Sequence, residues 1–231
     1  MNDKSNSYYE NVRSDLIPLI PFDAKCILEV GCAAGMTGQE IKKRSGVFVA
    51  GIELNAKAAE VAKTVLDDVV QGDIEKIDLP YSDGSFDCIL FADVLEHLVD
   101  PLSALIRVRR LLKKGGTVVA SIPNVQFHGV IHKLIEGNWT YEKEGILDET
   151  HLRFFTYKEI IKLFSQAGYS IQKVEEVLDP QYEKFLTQNT TTLNFGRTQV
   201  KDLSPEEIKR FFVFQYQVIA FLRWYIYALS F

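Results

Sequence analysis

Ile27-Leu28-Glu29-Val30-Gly31-Cys32-Ala33-Ala34-Gly35 is the stretch that decides the fold. A run with the character of a buried strand ends in a turn of small residues, and a helical pattern opens at Met36. Such a turn lets backbone approach a ligand at the carboxyl edge of the first strand, the edge where open α/β sheets bind their ligands. Outward from it, strand-like runs recur at residues 26–31, 47–53, 69–71, 86–91 and 117–122, apolar enough to be buried on both faces. Helical patterns separate them at residues 36–44 and 56–66. A third helix has Asp100 as N-cap, Pro101 at its first position and Gly115-Gly116 after its end. This alternation predicts an α/β fold, doubly wound around a mostly parallel sheet with helices on both faces.

The second half is less regular. Residues 124–150 intervene before a helix that opens on the capping box Thr156-x-x-Glu159 and stops at Gly168, after which residues 169–177 alternate like a strand. A polar loop spans residues 179–203, and a second box, Ser204-Pro205-Glu206-Glu207, opens a short helix into the last strand. Irregular stretches this long are commonly functional. At 231 residues the chain suits one domain with a small elaboration. Its 47% hydrophobic and 25% charged residues exclude disordered and coiled-coil classes.

A net charge of -5 without a basic cluster argues against nucleic acid as partner. Cys26, Cys32 and Cys88 form no C-x-x-C pair, which suits a reducing compartment, and the first ten residues hold no signal-peptide pattern, which points to the cytoplasm. Residues 211–231 are apolar almost to membrane-spanning length. Gln215 and Gln217 alternate there with strand period and Arg223 is central, so a buried final strand with an apolar tail is expected. Membrane contact through that tail is the lesser reading.

Two acids add weight to the glycine turn. Glu53 ends the second strand, where a carboxylate takes both hydroxyls of a ribose, and Asp73 ends the third, where one accepts from an adenine amine. The dinucleotide fingerprint G-x-G-x-x-G fails, because Ala33 and Met36 follow Gly31. Tyr169 and Lys173 have the spacing of a short-chain dehydrogenase pair, but they fall in a strand pattern, where four residues span about 13 Å and separate them. An NAD(P)-dependent oxidoreductase and a non-catalytic cofactor-binding scaffold are the alternatives.

Together these residues resemble the class I S-adenosylmethionine-dependent methyltransferases, over roughly residues 8–168 and then the last strand. Residues 27–35 resemble the first motif, E/D-x-G-x-G-x-G, with Ala33 at its middle glycine. Glu53, Asp73-Ile74, the run from Phe86 through D-V-L-E-H-L at residues 93–98, and Leu111-Leu112-Lys113-Lys114-Gly115-Gly116 match the rest in order. D-V-L-E-H-L, and H-L-R-F-F-T at residues 151–156, resemble a small-molecule branch. The resemblance implies a Rossmann-like seven-stranded sheet with an antiparallel last strand, S-adenosylmethionine as cofactor and a small-molecule acceptor. It implies that Glu29, Gly31, Cys32, Ala33 and Gly35 serve the methionine part, Glu53 and Leu54 the ribose, Asp73 and Ile74 the adenine. Ala92 and Asp93 would lie beside the sulfonium. Residues 1–24 resemble a lid helix in which Tyr9, after Tyr8, and Arg13 reach the cofactor's carboxylate.

A sulfonium methyl is already activated, so the protein must mainly position an acceptor in line and exclude water. A hydroxyl or amine acceptor also needs a base with a pKa near working pH, the range of histidine. His97 follows the fourth strand and His151 precedes the helix after the fifth, both at the ligand-binding edge, and these are the candidate bases. His128 and His132, four apart, are expected to be solvated on a helix. Some O-methyltransferases of similar sequence place a divalent ion near the motif of Asp93, Glu96 and His97. Here Glu96 and His97 are instead expected to anchor the helix at Pro101, with no metal. Residues 124–150, with Phe127, Trp139 and Tyr141, are expected to cover the acceptor; oxygen is the expected acceptor atom.

Overall fold

The computed structural model describes residues 11–188 and 190–223, so Tyr8, Tyr9 and the apolar tail after Arg223 lie outside the described residues. The strands are β1 Cys26–Val30, β2 Phe48–Glu53, β3 Asp68–Gln71, β4 Phe86–Ala92, β5 Leu112–Pro123, β6 Tyr169–Leu178, β7 Leu193–Phe195, β8 Thr198–Val200 and β9 Val213–Leu222. The helices are α1 Met36–Ile41, α2 Ala56–Ala62, α3 Pro101–Val108, α4 His128–Ile135, α5 Tyr157–Gln166, α6 Gln181–Leu186 and α7 Pro205–Phe212. Seven strands make one sheet in the order β3-β2-β1-β4-β5-β9-β6, and β7 and β8 make a separate hairpin. Neighbours from β3 to β5 pair in parallel, whereas β9 runs antiparallel to both β5 and β6, as expected of the last strand.

The sequence reads this way because both faces are covered. Leu28, Val30, Ile89 and Phe91 face one apolar cluster with α3 and α5, while Ile27, Cys88 and Leu90 face another with α1 and the N-terminal segment. Central strands covered twice need continuous apolar runs rather than alternation. Short polar side chains then fix the helix starts: Asn55 accepts from the amides of Lys57 and Ala58, and Asp100 from that of Ser103. Ser204 and Glu207 form the expected capping box.

Four local expectations change. The helix from Pro101 ends at Val108, not before Gly115: Arg109 and Arg110 reach the carbonyls of Ala167, Leu79 and Tyr81, the chain tightens into a 3-10 turn, and β5 begins at Leu112. Thr156 is the N-cap of α5 but makes no side-chain cap bond, so the first capping box is not formed. The polar stretch 179–203 holds α6 and the β7–β8 hairpin. Of the N-terminal lid, residues 11–24 contain a 3-10 turn at Ile17–Leu19 rather than a longer helix, since Pro18 and Pro21 lack the amides a helix interior needs.

The two irregular stretches share one cap at the carboxyl edge, over β5, β9 and β6. Leu193, Phe195, Ile208 and Phe212 form its core, with Ile131 of α4 and Tyr182 and Phe185 of α6 packed around them. Asn124, fully buried, ties the cap to the sheet by donating to the carbonyls of Arg210 (2.9 Å) and Val213 (2.8 Å) and accepting from the amide of Gln126 (3.0 Å). Among the described residues no helix is long and apolar enough to cross a membrane.

Candidate active site

The turn after β1 takes backbone that L side chains rarely adopt: Gly31 (φ +70°), Ala33 (φ +49°) and Gly35 (φ +82°) are all left-handed. At Gly31 a Cβ would stand 2.6 Å from a Val94 methyl, so only glycine fits. The amides of Gly31 and Cys32 both reach the Ile52 carbonyl, at 2.7 and 3.1 Å. Glu53 holds the turn from the side. Its Oε2 accepts from the amide of Ala33 (2.8 Å) and its Oε1 from that of Asn55 (2.7 Å). A carboxylate has about four acceptor positions, so two remain for a ribose diol. Leu54, next along, is 47% exposed beside it.

Asp73 accepts from the amide of Glu75 (2.9 Å) and from Lys76 Nζ (2.6 Å), and the Lys76 hydrogen bond holds it below the usual carboxylate range. Ile74 is buried in the core cluster with Leu79. Glu29 does not reach the edge: it is 3% exposed, beneath Gly38 of α1, and burial pushes its pKa up to about 8. Its carboxyl accepts from the Gly38 amide, in α1 rather than in the turn. Burial also pushes the Cys32 thiol up, which makes it unreactive at neutral pH.

Asp93, just past β4, is left-handed at φ +54° and held by three side chains. Its Oδ1 accepts from Ser121 Oγ (2.8 Å) and from Gln215, its Oδ2 pairs with Arg13, and its amide donates to Ser121 Oγ (3.0 Å). Arg13 also reaches Gln215 Oε1 (3.1 Å) and Asp15 (2.8 Å), and Gln217 donates to Asp15 (2.6 Å). The N-terminal segment is therefore pinned across β4, β5 and β9, with Ala92 and Asp93 beneath it. Sequence reasoning missed Ser121, Gln215, Gln217 and Asp15 as site residues; polar side chains alternating in an apolar strand were the available signal.

His97 and His151 come together, with ring centroids 4.7 Å apart. His151, 8% exposed, lies with Nδ1 3.0 Å from the Ile146 carbonyl, and His97 Nδ1 lies 3.2 Å from the carbonyl of Thr150. Carbonyls only accept, so each Nδ1 can donate its proton to the carbonyl it faces. Glu96 is 1% exposed; its Oε1 is 4.0 Å from His151 Nε2, and its carbonyl accepts from the amides of Leu152 and Arg153. Glu96, His97 and His151 offer ligand atoms all within 4.8 Å of one another, a mixed oxygen and nitrogen set that could hold Mg²⁺ or Zn²⁺. Asp93 has no part in that set; Arg13, Ser121 and Gln215 hold it elsewhere.

Two clefts open in the cap. One, about 350 Å³, is bordered by His128, Lys184, Asn194 and Phe212; the other, about 520 Å³, by Val125, Trp139, Tyr157, Phe211 and Arg210. Tyr169 and Lys173 stay apart: Tyr169 donates to the Leu105 carbonyl (3.0 Å), and Lys173 pairs with Glu175.

A glycine turn, an acid after each of the next two strands and a capped acceptor side define an enzyme that binds an adenosine-type cofactor and brings a second molecule to it. The family model for a methyltransferase domain matches residues 6–174, and the chain belongs to this family as a class I S-adenosylmethionine-dependent methyltransferase. The ubiquinone biosynthesis O-methyltransferase of Cereibacter sphaeroides is 26% identical over 82% of this chain and 74% of its own. Its namesake from Aromatoleum aromaticum is 26% identical over 74% and 75%. A solved S-adenosylmethionine-dependent methyltransferase from Thermotoga maritima superimposes with a TM-score of 0.60 at 21% identity, covering 89% of this chain and 86% of that one. The cofactor is S-adenosylmethionine, and the turn too tight for a Cβ and the open acceptor positions of Glu53 suit it.

Proposed function

We propose that this chain methylates an oxygen of a small-molecule acceptor, with His97 or His151 taking the acceptor's proton. The observation that carries this reading is the meeting of the His97 and His151 rings, 4.7 Å between centroids, with His97 in the 3-10 turn that follows Asp93. S-adenosylmethionine supplies, when bound, a methyl group already activated toward nucleophiles. Gly31, Cys32, Ala33 and Gly35 would hold its methionine part, Glu53 and Leu54 its ribose, and Asp73 and Ile74 its adenine. Ala92, Asp93 and Arg13 would border the reacting end, and Tyr9 would belong to the lid that excludes water. The names of the two 26%-identical relatives support oxygen as acceptor.

Calorimetric titration with S-adenosylhomocysteine tests the cofactor half. Micromolar binding that weakens by about 1.5–3 kcal/mol in Glu53→Ala, the scale of hydrogen bonds to a charged group, is expected; no binding by folded protein would refute it. The approach of Glu96, His97 and His151 favours a second reading, in which they hold a divalent cation that orients the acceptor oxygen. Methyl transfer abolished by a chelator and restored by Mg²⁺ supports the cation; transfer indifferent to chelator but lost in His97→Ala or His151→Ala supports the base.

A further inference from the structure

We propose that the cleft between α4, the start of α5 and α7 is a binding site for a small apolar carboxylic acid, held by its carboxylate on Arg210. The cleft measures about 520 Å³, within the roughly 300–1,000 Å³ of ligand sites. Its walls are apolar and within reach of solvent: Leu134 is 50% exposed, Trp139 37%, and Val125, Ile131 and Phe211 are half-buried. An apolar body gains by covering such faces, and the Trp139 ring gives it a flat one.

The polar side of the cleft is positive, in a chain whose net charge is -5. Arg210 stacks over the Tyr157 ring, 5.2 Å from its centroid. Stacking leaves the in-plane N–H groups of a guanidinium free. Among the described residues, Arg210 makes no ion pair and its guanidinium donates no hydrogen bond, and Lys158 makes no ion pair either. Glu207, the one acid bordering the cleft, is engaged in its own helix cap, where its Oε2 accepts from the amide (2.9 Å) and the hydroxyl (2.7 Å) of Ser204. Thr156, Tyr157 and Lys158 add the first turn of α5, whose dipole favours negative charge and whose N-cap Thr156 makes no side-chain cap bond. Beside Tyr157, with ring centroids 5.3 Å apart, the fully buried Tyr216 carries a hydroxyl without a hydrogen-bond partner. Buried donors are normally matched, so this one marks a place where the fold leaves an acceptor to be supplied.

A planar guanidinium takes a carboxylate bidentately, one negative charge on one fork. Polyanions need more cations than Arg210 and Lys158. A neutral apolar ligand would strip water from Arg210 without pairing it, and a sugar would press its hydroxyls on Val125, Ile131 and Leu134, which cannot bond them. The site stands one ring away from the candidate bases: Trp139 meets Phe154 edge-on at 5.3 Å, and Phe154 meets His151 at 6.4 Å. No residue of the cofactor turn or of the histidine pair takes part, so the assignment is independent of the methyl-transfer reading.

The chain has two tryptophans, Trp139 and Trp224, so in a Trp224→Phe background the indole emission reports on the cleft. That protein is titrated with phenylbutyrate and cyclohexylacetate and with the corresponding neutral amides. Each is taken to roughly 10 mM, enough to fill a millimolar site. At least one acid should change the Trp139 emission saturably, and its amide should bind at least tenfold more weakly. Arg210→Gln should weaken the acid at least tenfold while leaving amide binding, melting temperature and S-adenosylhomocysteine affinity unchanged. Lys158→Gln should weaken the acid by about two- to threefold, the scale of an exposed charge. No saturable response to either acid, equal affinity for acid and amide, or an acid response that Arg210→Gln leaves intact would overturn the site.

Discussion

Replacing Glu29 by glutamine should stabilise the protein at neutral pH and leave it unchanged in mild acid. Glu29 lies under α1 with its carboxyl buried, and burial, with the charge of Glu53 adding to it, raises its pKa from 4.5 to about 8, against the favourable Gly38 amide. In the folded chain the group therefore keeps its proton up to about pH 8, whereas in the unfolded chain it loses it above 4.5. The unfolded state then binds fewer protons, so this group's contribution to stability falls as pH rises from 4.5 to 8. At 1.36 kcal/mol per unit, 2.5 units at pH 7 cost about 3 kcal/mol. Glutamine fills the same volume, keeps an oxygen for the Gly38 amide and has nothing to ionise.

The assay is thermal unfolding of both proteins from pH 5 to 8. A chain of this size shifts by about 2–4 °C per kcal/mol, so Glu29→Gln should melt roughly 6–12 °C higher at pH 7 and within about 2 °C of wild type at pH 5. Parallel profiles would refute the reasoning, because they would mean that the native carboxyl ionises as freely as the unfolded one. S-adenosylhomocysteine affinity should change by less than about threefold, since the side chain lies below the turn rather than facing its ligand.

Other substitutions probe the turn, the cap and the base. Gly31→Ala should cost at least about 2 kcal/mol and reduce S-adenosylhomocysteine affinity tenfold or more by calorimetry, since its Cβ overlaps Val94 in left-handed backbone. Asn124→Ala should lower stability by about 2–4 kcal/mol in urea unfolding, because the buried carbonyls of Arg210 and Val213 lose their donors. Ser204→Ala should cost about 1 kcal/mol through its capping box, with cofactor binding untouched. Asp93→Asn should weaken S-adenosylhomocysteine binding and loosen the N-terminal segment, visible as faster amide exchange at Arg13, because the ion pair with Arg13 is lost.

The glycine turn and the two acids were legible because their placement is local: residues 27–35, Glu53 and Asp73 sit at strand ends, so strand order alone brings them to one edge. The acceptor half was legible in composition more than in geometry. His97 and His151 were read as candidates, but their meeting depends on the turn at Ile146–Thr150 that delivers His151 beneath Glu96, and periodicity carries no trace of it. The cap was read as two loops because its helices are short and its hairpin strands have three residues each, lengths at which neither period can establish itself. Its apolar residues are sparse along the chain and meet only in space.

The antiparallel strand explains why the reacting end could not be read from any one segment. A parallel strand beside β5 would leave the sheet at the ligand edge, whereas β9 enters there, so its first turn of sequence presents Gln215 and Gln217 to that edge. Gln215 and Gln217 bond Arg13 and Asp15 across 202 residues, and Gln215 also donates directly to Asp93 across 122. Asp93 is also strained: left-handed backbone in a non-glycine residue costs about 1–3 kcal/mol and persists only where its surroundings fix it. Ser121, Gln215 and Arg13 are those surroundings. The left-handed conformation of Asp93 at the end of β4 therefore belongs to the assembled β4-β5-β9 edge and to the N-terminal segment laid over it.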